Sequence, residues 1–248
     1  MRTTEEFKLA ADSMEIEALV FDVFGTVVDW RSSIIREGRA VGERLGIEAD
    51  WEAFADAWRG MYQPAMEQVR SGEREWVRLD DLHRESLCEL IDRFGIEGLD
   101  EAGIDHFNRA WHRLDPWPDA VEGLTAMRRR FILGTCSNGN VAMMVNMAKR
   151  ASLPWDAILG AEPCRAYKPL PQAYLGTCAY LDLPPERVVM VAAHNDDLVH
   201  AASHGMRTAF VARPTEYGPH QDRDFEAEHD FDFVADDFVD LAARLCAV

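Results

Sequence analysis

The sequence is poor in cysteine and in positive charge, and it has no long apolar run. Its five cysteines are an odd number without a CxxC pair, so neither a disulfide framework nor a thiolate zinc site is indicated, and a reducing cytoplasm is the expected location. Only 26 lysines and arginines stand against 44 aspartates and glutamates, a formal charge of −18, which disfavours nucleic acid and anionic lipid as partners. No stretch approaches the roughly 18 apolar residues of a membrane span, so a membrane partner is not expected either.

The chain has ample material for a folded core, because 48% of its 248 residues are hydrophobic. Residues 1–14, MRTTEEFKLAADSM, lack the hydrophobic centre of a signal peptide and are interpreted as a loosely held leader. We find neither internal repeats nor low-complexity tracts. The sequence therefore predicts a globular protein of one large domain or two modest ones.

The hydrophobic pattern changes twice along the chain. IEALVFD at 16–22 is an apolar strand that ends before a turn at Gly25. A block with apolar residues at helical spacing follows, as in WEAFADAWRGMY at 51–62. After the proline-rich DPWPDA at 115–120, strands alternate with helices, and DAILG at 156–160 is one of the predicted strands. Such alternation is typical of a parallel sheet covered on both faces.

This pattern predicts an α/β fold built on a doubly wound, mostly parallel sheet. The first strand precedes the helical block but most simply joins the same sheet as the later strands. We therefore assign residues 15–31 and 116–248 to an α/β core domain, and residues 32–115 to an inserted helical cap domain. Hinges between the two are expected near 28–31 and 116–118.

Polar residues follow several of the predicted strands. Four strand ends carry such clusters: Asp22 and Thr26; Ser137 and Asn138; Arg165 and Lys168; His194 to Asp197. In open α/β sheets, ligands bind outside the carboxyl ends of the strands. The four clusters are therefore expected to converge on one site.

The segments FDVFGT, CSNG, YKPLPQAY and VAAHNDDLVHA, in this order, resemble the four motifs of the haloacid dehalogenase superfamily. The resemblance covers residues 16–245 and implies a Rossmann-like core with an inserted cap. In the superfamily's phosphatases, a second aspartate lies two positions after the nucleophile and helps to hold magnesium, whereas this chain has Phe24 there. The first acidic position of the fourth motif is Ala193. Because magnesium is held by few carboxylates, we expect neither a metal nor a cofactor.

The remaining motif residues resemble those of the (S)-2-haloacid dehalogenases, which implies a covalent mechanism. Asp22 would displace the halide from a short 2-haloalkanoic acid, and water would then hydrolyse the aspartyl ester to release a 2-hydroxy acid. Lys168 would keep Asp22 charged and oriented, and Thr26 would orient it by a hydrogen bond. Arg59 and Asn138 would contact the departing halide.

The resemblance also implies how the rest of the substrate is bound. Ser137 and the backbone amides of Val23 and Phe24 would hold the substrate carboxylate. Tyr174 matches the dehalogenase pattern as a further substrate-binding residue. Each assignment has a structural alternative: a turn or helix cap for Ser137, a core aromatic for Tyr174, and a solvent-exposed side chain for Arg59 or Lys168.

The group that activates the hydrolytic water is left open. Asp197 is the first candidate, together with Lys168, although it could instead cap the following helix. Many members of the branch have Ser-Ser-Asn before this acid, whereas this chain has Ala192, Ala193 and His194. His194 is a second candidate, because imidazole titrates near neutrality and can act as a base.

Other functions stay open on the sequence alone. A tight aromatic pocket would admit fluoride as leaving group, so fluoroacetate is a hypothetical substrate. A phosphatase, a hydrolase of small strained-ring carboxylates with the same nucleophile, and a binding protein that has lost catalysis are alternatives. A metallohydrolase would use His194, Asp196, Asp197, His200 and His204, but HAASH lacks the glutamate of HExxH. Family resemblance also allows a homodimer.

Overall fold

The computed structural model describes residues 16–246, so the leader predicted at 1–14 lies outside the described residues. Strand β1 (Ala18–Phe21) is followed by a short β2 (Val28–Asp29) and four helices, α1 (Trp30–Leu45), α2 (Trp51–Arg70), α3 (Leu79–Arg93) and α4 (Glu101–Asn108). A 3₁₀ turn (Arg109–His112) and β3 (Asp115–Pro116) then lead to α5 (Ala120–Met127), β4 (Ile132–Thr135), α6 (Val141–Ala151), α7 (Ala161–Cys164) and α8 (Pro171–Tyr180). The remaining described elements are β5 (Val188–Ala192), α9 (Asn195–Ser203), β6 (Arg207–Val211), β7 (Phe233–Ala235) and α10 (Phe238–Cys246). Two further 3₁₀ turns lie at Pro185–Arg187 and Gly218–His220.

Five strands form one sheet in the order β4-β1-β5-β6-β7, and every neighbouring pair is parallel. All four residues of β1 are buried, as expected for a strand with helices on both faces. Leu19 and Phe21 point into one hydrophobic core, while Ala18 and Val20 point into a second core on the opposite face. The predicted doubly wound, mostly parallel α/β fold is therefore confirmed.

The order of the strands creates a crevice beside β1. From β1 the chain goes to β4 on one side, and it later returns to β5 on the other side. Such a reversal leaves an opening at the carboxyl end of the strand, where doubly wound proteins bind their ligands. Residues that directly follow β1 and β5 are thus placed at this opening.

The helical block lies between two short strands that pair with each other. β2 and β3 are antiparallel, with Val28 opposite Pro116 and Asp29 opposite Asp115, so the chain leaves and re-enters the core at neighbouring points. Asp29 also accepts a hydrogen bond from the backbone N–H of Ser32 and so caps α1. The exact division into core and cap domains, with a boundary after residue 31, stays a proposal.

Helix α2 forms because its apolar residues recur at helical spacing behind a capping aspartate. Asp50 accepts a hydrogen bond from the backbone N–H of Ala53 at 2.9 Å. Phe54 and Trp58 are fully buried, and Tyr62 continues the same stripe one turn later. This face fixes the orientation of α2 and thereby the position of any residue beside the stripe.

The strand predicted at DAILG, residues 156–160, is wrong. Only isolated bridges form there, between Ala157 and Gly134 and between Gly160 and Ser137. Gly160 has φ of +115° and lies so close to Ser137 that a Cβ atom would be 2.3 Å from the Ser137 carbonyl oxygen. This conformation ends regular pairing, so the segment packs beside β4 as a loop rather than as a sixth strand.

In residues 16–246, no helix is both long and apolar enough to cross a lipid bilayer.

Candidate active site

Asp22 lies directly after β1, at the mouth of the crevice. Its backbone N–H donates to the carbonyl oxygen of Val191 on β5 at 3.0 Å, which continues the sheet pairing for one more residue. Gly25 then turns the chain with φ of +84°. The Asp22 side chain is 6% exposed, so its carboxylate is removed from bulk water but open to the crevice.

Thr26 connects the turn after β1 to the end of β5. Its hydroxyl donates to Asp22 Oδ2 at 2.9 Å and accepts from the backbone N–H of Ala193 at 2.9 Å. Its backbone carbonyl accepts from Arg213 Nε, also at 2.9 Å. Thr26 is fully buried, and it orients one oxygen of Asp22 as predicted from the sequence.

Lys168 holds the other oxygen of Asp22. Its ammonium donates to Asp22 Oδ1 at 2.9 Å and to the Asp197 carboxylate by a shorter bond. The Tyr174 hydroxyl donates to the second oxygen of Asp197 at 2.7 Å. The backbone N–H of Lys168 is held by Asn138 Oδ1 at 2.8 Å. Lys168 is therefore a buried and not a solvated lysine, while Tyr174 packs in the second hydrophobic core and its hydroxyl still reaches Asp197.

The charges of this cluster stabilise one another. Burial alone would raise the pKa of Asp22, but the Lys168 charge and the hydrogen bond to His194 more than offset it and hold the pKa well below its usual range. Burial would lower the pKa of Lys168, yet the carboxylates of Asp197 and Asp22 raise it above its usual value. At neutral pH the two groups are therefore an ion pair, with Asp22 in the form that a nucleophile requires.

Asp197 does not cap the helix that contains it. Helix α9 begins at Asn195, with His194 in the capping position, so Asp197 lies in the first turn. Both of its oxygens accept side-chain hydrogen bonds, from Lys168 and Tyr174. The capping alternative for Asp197 is therefore not the arrangement in the structure.

His194 contacts two carboxylates. Its Nδ1 lies 3.3 Å from Asp22 Oδ2, and its Nε2 lies 2.9 Å from Glu216 Oε2. The other oxygen of Glu216 accepts from Trp30 Nε1 at 2.9 Å. Sequence reasoning missed Glu216, although it follows β6 and thus another strand end, where the search for polar residues would have found it.

Arg59 reaches the site from α2, beside the buried stripe. Its guanidinium carbon lies 4.3 Å from the centre of the Tyr62 ring and 5.3 Å from that of Trp30. In the described part of the chain, Arg59 Nη1 is buried without a hydrogen-bond partner. A buried cationic donor without an acceptor is suited to an anion.

Ser137 and Asn138, in the CSNG segment, both hydrogen-bond the protein backbone. Ser137 is buried and accepts a hydrogen bond from the backbone N–H of Gly139 at 3.1 Å, so its turn-forming role is present. Asn138 is 6% exposed, and its Oδ1 accepts from the backbone N–H of Lys168.

Val23 and Phe24 are buried behind the nucleophile. The Phe24 ring lies edge-on to Trp111, with ring centres 5.8 Å apart, and edge-on to Tyr62 at 6.2 Å. An apolar aromatic wall thus occupies the position at which superfamily phosphatases carry a second aspartate.

A cavity of about 640 Å³ joins most of these side chains. The predicted residues that line it are Asp22, Phe24, Arg59, Asn138, Lys168, Tyr174, His194 and Asp197. Thr26, Val23 and Ser137 lie outside this lining. Arg165, from a predicted strand-end cluster, is absent from the lining, and its guanidinium lies over the Trp76 ring at 5.9 Å.

Within residues 16–246, no group of three or more histidine, cysteine, aspartate or glutamate side chains is arranged to hold a metal ion. Three of the five residues of the metallohydrolase alternative are engaged with other side chains. His194 contacts Asp22 and Glu216, Asp197 contacts Lys168, and His204 lies against the Tyr174 ring at 5.6 Å between ring centres.

A family model and a curated relative both match this chain to haloacid dehalogenases. A family model for haloacid dehalogenase-like hydrolases matches residues 16–205. The (S)-2-haloacid dehalogenase 4A of Burkholderia cepacia is 30% identical over 209 residues, which cover 82% of this chain and 87% of that protein.

Two solved structures extend the comparison. The crystal structure of a defluorinating L-2-haloacid dehalogenase is 48% identical, has a TM-score of 0.91, and is matched over 93% of this chain and 95% of that one. The L-2-haloacid dehalogenase from Xanthobacter autotrophicus with chloropropionic acid covalently bound is 25% identical, with a TM-score of 0.76 and coverage of 94% and 98%.

Proposed function

The chain belongs to the haloacid dehalogenase-like hydrolases, and we propose that it hydrolyses the carbon–halogen bond of short 2-haloalkanoic acids through an ester on Asp22. The observation that carries this proposal is the state of Asp22. Its two oxygens are fixed by Thr26 and Lys168, and it lines a cavity that also contains Arg59. A buried, ionised and oriented carboxylate is prepared for displacement at carbon.

In the first half of the reaction, an Asp22 oxygen forms a bond to the halogen-bearing carbon, and the halide leaves with the bonding electrons. Negative charge builds on the halide as it departs, and a preorganised cation can stabilise that charge. Arg59 Nη1, buried without a partner among the described residues, supports a halide-binding role for Arg59, with Asn138 beside it. The Xanthobacter relative with chloropropionic acid covalently bound supports a covalent intermediate.

The substrate carboxylate is assigned from the family resemblance to Ser137 and the backbone amides of Val23 and Phe24; of these three residues, Phe24 lines the cavity, while Ser137 and Val23 are buried beside it. Tyr174 acts through Asp197, because its hydroxyl donates to that carboxylate rather than lying free in the cavity. A cytoplasmic location and a homodimer remain proposals from the sequence.

Fluoroacetate is included in the proposed substrate range. Fluoride is a poor leaving group, and its displacement needs strong electrostatic stabilisation in a site from which water is excluded. The aromatic wall of Phe24, Tyr62 and Trp111 near Arg59 supplies the apolar and the cationic part of such a setting. The relative that is 48% identical is described as defluorinating, which supports the same extension here.

A phosphatase is not favoured, because Phe24 and its aromatic neighbours fill the position of the second acid. A hydrolase of strained-ring carboxylates would use the same nucleophile but would release no halide. Halide release therefore separates the proposal from both alternatives.

The test is halide release from chloroacetate, (S)-2-chloropropionate and fluoroacetate in the presence of EDTA, for the unchanged protein, Asp22→Asn and Asp230→Asn. Asp230 is an exposed surface residue and serves as the matched control. We expect halide from the unchanged protein and the control, and none from Asp22→Asn. Intact mass after rapid quenching is expected to show a gain equal to the mass of the substrate acid minus that of the hydrogen halide. No halide release, together with magnesium-dependent phosphate release from a phosphate ester in a parallel assay without EDTA, would refute the proposal. Chloride release from chloroacetate without fluoride release from fluoroacetate would remove only the fluoride extension.

A further inference from the structure

Glu216 is a buried carboxylate that the activation of Asp22 does not explain. It is 1% exposed, and both of its oxygens are engaged, one by Trp30 and the other by His194. The turn at Gly25 makes room for it, since a Cβ atom on Gly25 would lie 2.1 Å from Glu216 Oε1. Burying a carboxylate is costly unless it is paired, so this arrangement requires a cationic partner.

His194 is that partner, and it joins Glu216 to the nucleophile. The imidazole lies between the two carboxylates, with Nε2 toward Glu216 and Nδ1 toward Asp22. Burial alone would lower the pKa of His194, but the charges of Glu216 and Asp22 raise it well above its usual value. Before substrate binds, His194 is thus an imidazolium that donates to Glu216 through Nε2, with Nδ1 in ion-pair contact with Asp22.

Other charges surround this chain of three groups. The Lys168–Asp197 pair is on the far side of Asp22, and the Arg59 guanidinium interacts electrostatically with both Glu216 and Asp22. The cavity lining adds Asp196, His200, Arg223 and Asp224. Of these groups, only Asp22 and Glu216 are in direct polar contact with the His194 ring.

We propose that His194 Nδ1 is the base that takes the proton from the hydrolytic water, and that Glu216 is a positioning residue that holds the imidazole with Nδ1 toward the Asp22 ester. This inference rests on the proposed dehalogenase function and assigns the second half of its reaction.

The proton balance follows from the loss of one carboxylate. When Asp22 becomes a neutral ester, His194 loses the partner of Nδ1, and its proton passes to solvent as the halide leaves. Water oxygen then bonds to Asp22 Cγ while its proton moves to Nδ1. The Cγ–O bond to the substrate breaks, and the alkoxide takes the remaining proton from the former water. The products are the 2-hydroxy acid, ionised Asp22 and the imidazolium, which is the starting state.

The geometry favours His194 over the other candidate base. Both oxygens of Asp197 already accept hydrogen bonds, one from Lys168 and the other from Tyr174, whereas Nδ1 of His194 loses its partner when Asp22 becomes an ester. The serines that many relatives have before the acid are replaced by Ala192 and Ala193, which offer no side-chain contact to water. His194 is also too close to the attacking oxygen to take the halide, because the halide departs on the opposite side of the reacting carbon.

The experiment is a single turnover of (S)-2-chloropropionate, with halide and ester measured separately after rapid quenching. The variants are His194→Asn and Glu216→Gln, and the matched controls are His229→Asn and Glu228→Gln at exposed positions. A burst of one halide ion per active site shows that a variant is folded and that its nucleophile reacts. His194→Asn is expected to keep that burst, to accumulate ester, and to hydrolyse it about 100-fold more slowly.

The pH profile of ester hydrolysis tests Glu216 itself. In the unchanged protein the rate is expected to rise with pH as His194 loses its proton. Without the Glu216 charge the imidazolium is less stable, so in Glu216→Gln the inflection moves to lower pH and the plateau rate falls about tenfold. A purely structural role would change the amount of active protein but would not move the inflection.

Two kinds of result would overturn the inference, one in ester hydrolysis and one in the halide burst. One is hydrolysis in His194→Asn at the rate of the unchanged protein, or an unmoved inflection in Glu216→Gln. The other is loss of the halide burst in both variants while the controls retain it, which would place the two residues in the first half-reaction. If the unchanged protein gives neither burst nor ester, the proposed function fails instead.

Discussion

Replacing Thr26 by valine removes a hydroxyl while leaving the shape of the side chain almost unchanged. In the structure that hydroxyl donates to Asp22 Oδ2 and accepts from the backbone N–H of Ala193, both at 2.9 Å, and Thr26 is fully buried. A hydrogen bond to a charged group contributes about 1.5–3 kcal/mol, and a buried N–H left without an acceptor costs about 1–3 kcal/mol. We therefore expect Thr26→Val to lower the free energy of unfolding by about 3–5 kcal/mol.

The matched variant is Thr26→Ser, which keeps the hydroxyl and loses one methyl group, at a cost of about 1 kcal/mol. Urea unfolding at neutral pH measures both values, and the halide burst of each variant reports how well Asp22 is still oriented. The burst is expected to be slowed in Thr26→Val and little changed in Thr26→Ser. Equal destabilisation by the two variants would show that packing of the methyl group, and not the hydroxyl, accounts for the role of Thr26.

Two further predictions concern the same turn and its ion pair. Gly25→Ala introduces a Cβ atom 2.1 Å from Glu216 Oε1 at φ of +84°, whereas the Cβ atom of Gly46→Ala, at φ of +69°, meets nothing within 4 Å. In thermal unfolding, Gly46→Ala is expected to lower the free energy of unfolding by about 1–2 kcal/mol through backbone strain alone. Gly25→Ala is expected to lower it clearly more. Equal losses would contradict the packing of Glu216 against the turn. Because the pKa of Asp22 is lowered and that of Lys168 is raised, the pair stays ionised through neutrality, so the rate of the halide burst is expected to be constant from about pH 5 to about pH 8. A tenfold fall within that range would refute this assignment of charges. The lowered pKa of Asp22 also makes the protein more stable to unfolding at neutral pH. This contribution is fully present above the unfolded pKa of about 4, and it is lost as the pH falls through the lower pKa of the folded state.

Much of the site could be predicted from the sequence because its residues follow strands. Lys168 follows residues 156–160, which form no strand, and its role was predicted from family resemblance. Asp22 and Asp197 instead follow β1 and β5, and the carboxyl ends of parallel strands meet at one edge of the sheet. Local patterns therefore determined both where these residues lie and that they lie together. Arg59 was predicted from family resemblance alone, since nothing in a helical stripe distinguishes a buried arginine from an exposed one.

The features that the sequence did not reveal depend on contacts between distant segments. Glu216 is paired with His194 and Trp30, at separations of 22 and 186 residues, and no local pattern encodes such a contact. The false strand at DAILG has the same origin. Its apolar residues fit a strand, but the approach of Gly160 to the Ser137 backbone breaks the pairing, and only the assembled sheet creates that contact.

The pairing of β2 with β3 has a consequence for how such an enzyme changes over evolution. The helical segment begins and ends at two adjacent points, Val28–Asp29 and Asp115–Pro116, so a different insert could be joined there without moving β1 or the nucleophile. Arg59 belongs to this insert, whereas Asp22, Lys168 and His194 belong to the sheet edge. In the proposed mechanism, recognition of the leaving group and formation of the ester therefore belong to two segments that recombination at the β2–β3 junction could exchange separately, which would give new substrates to an unchanged nucleophile.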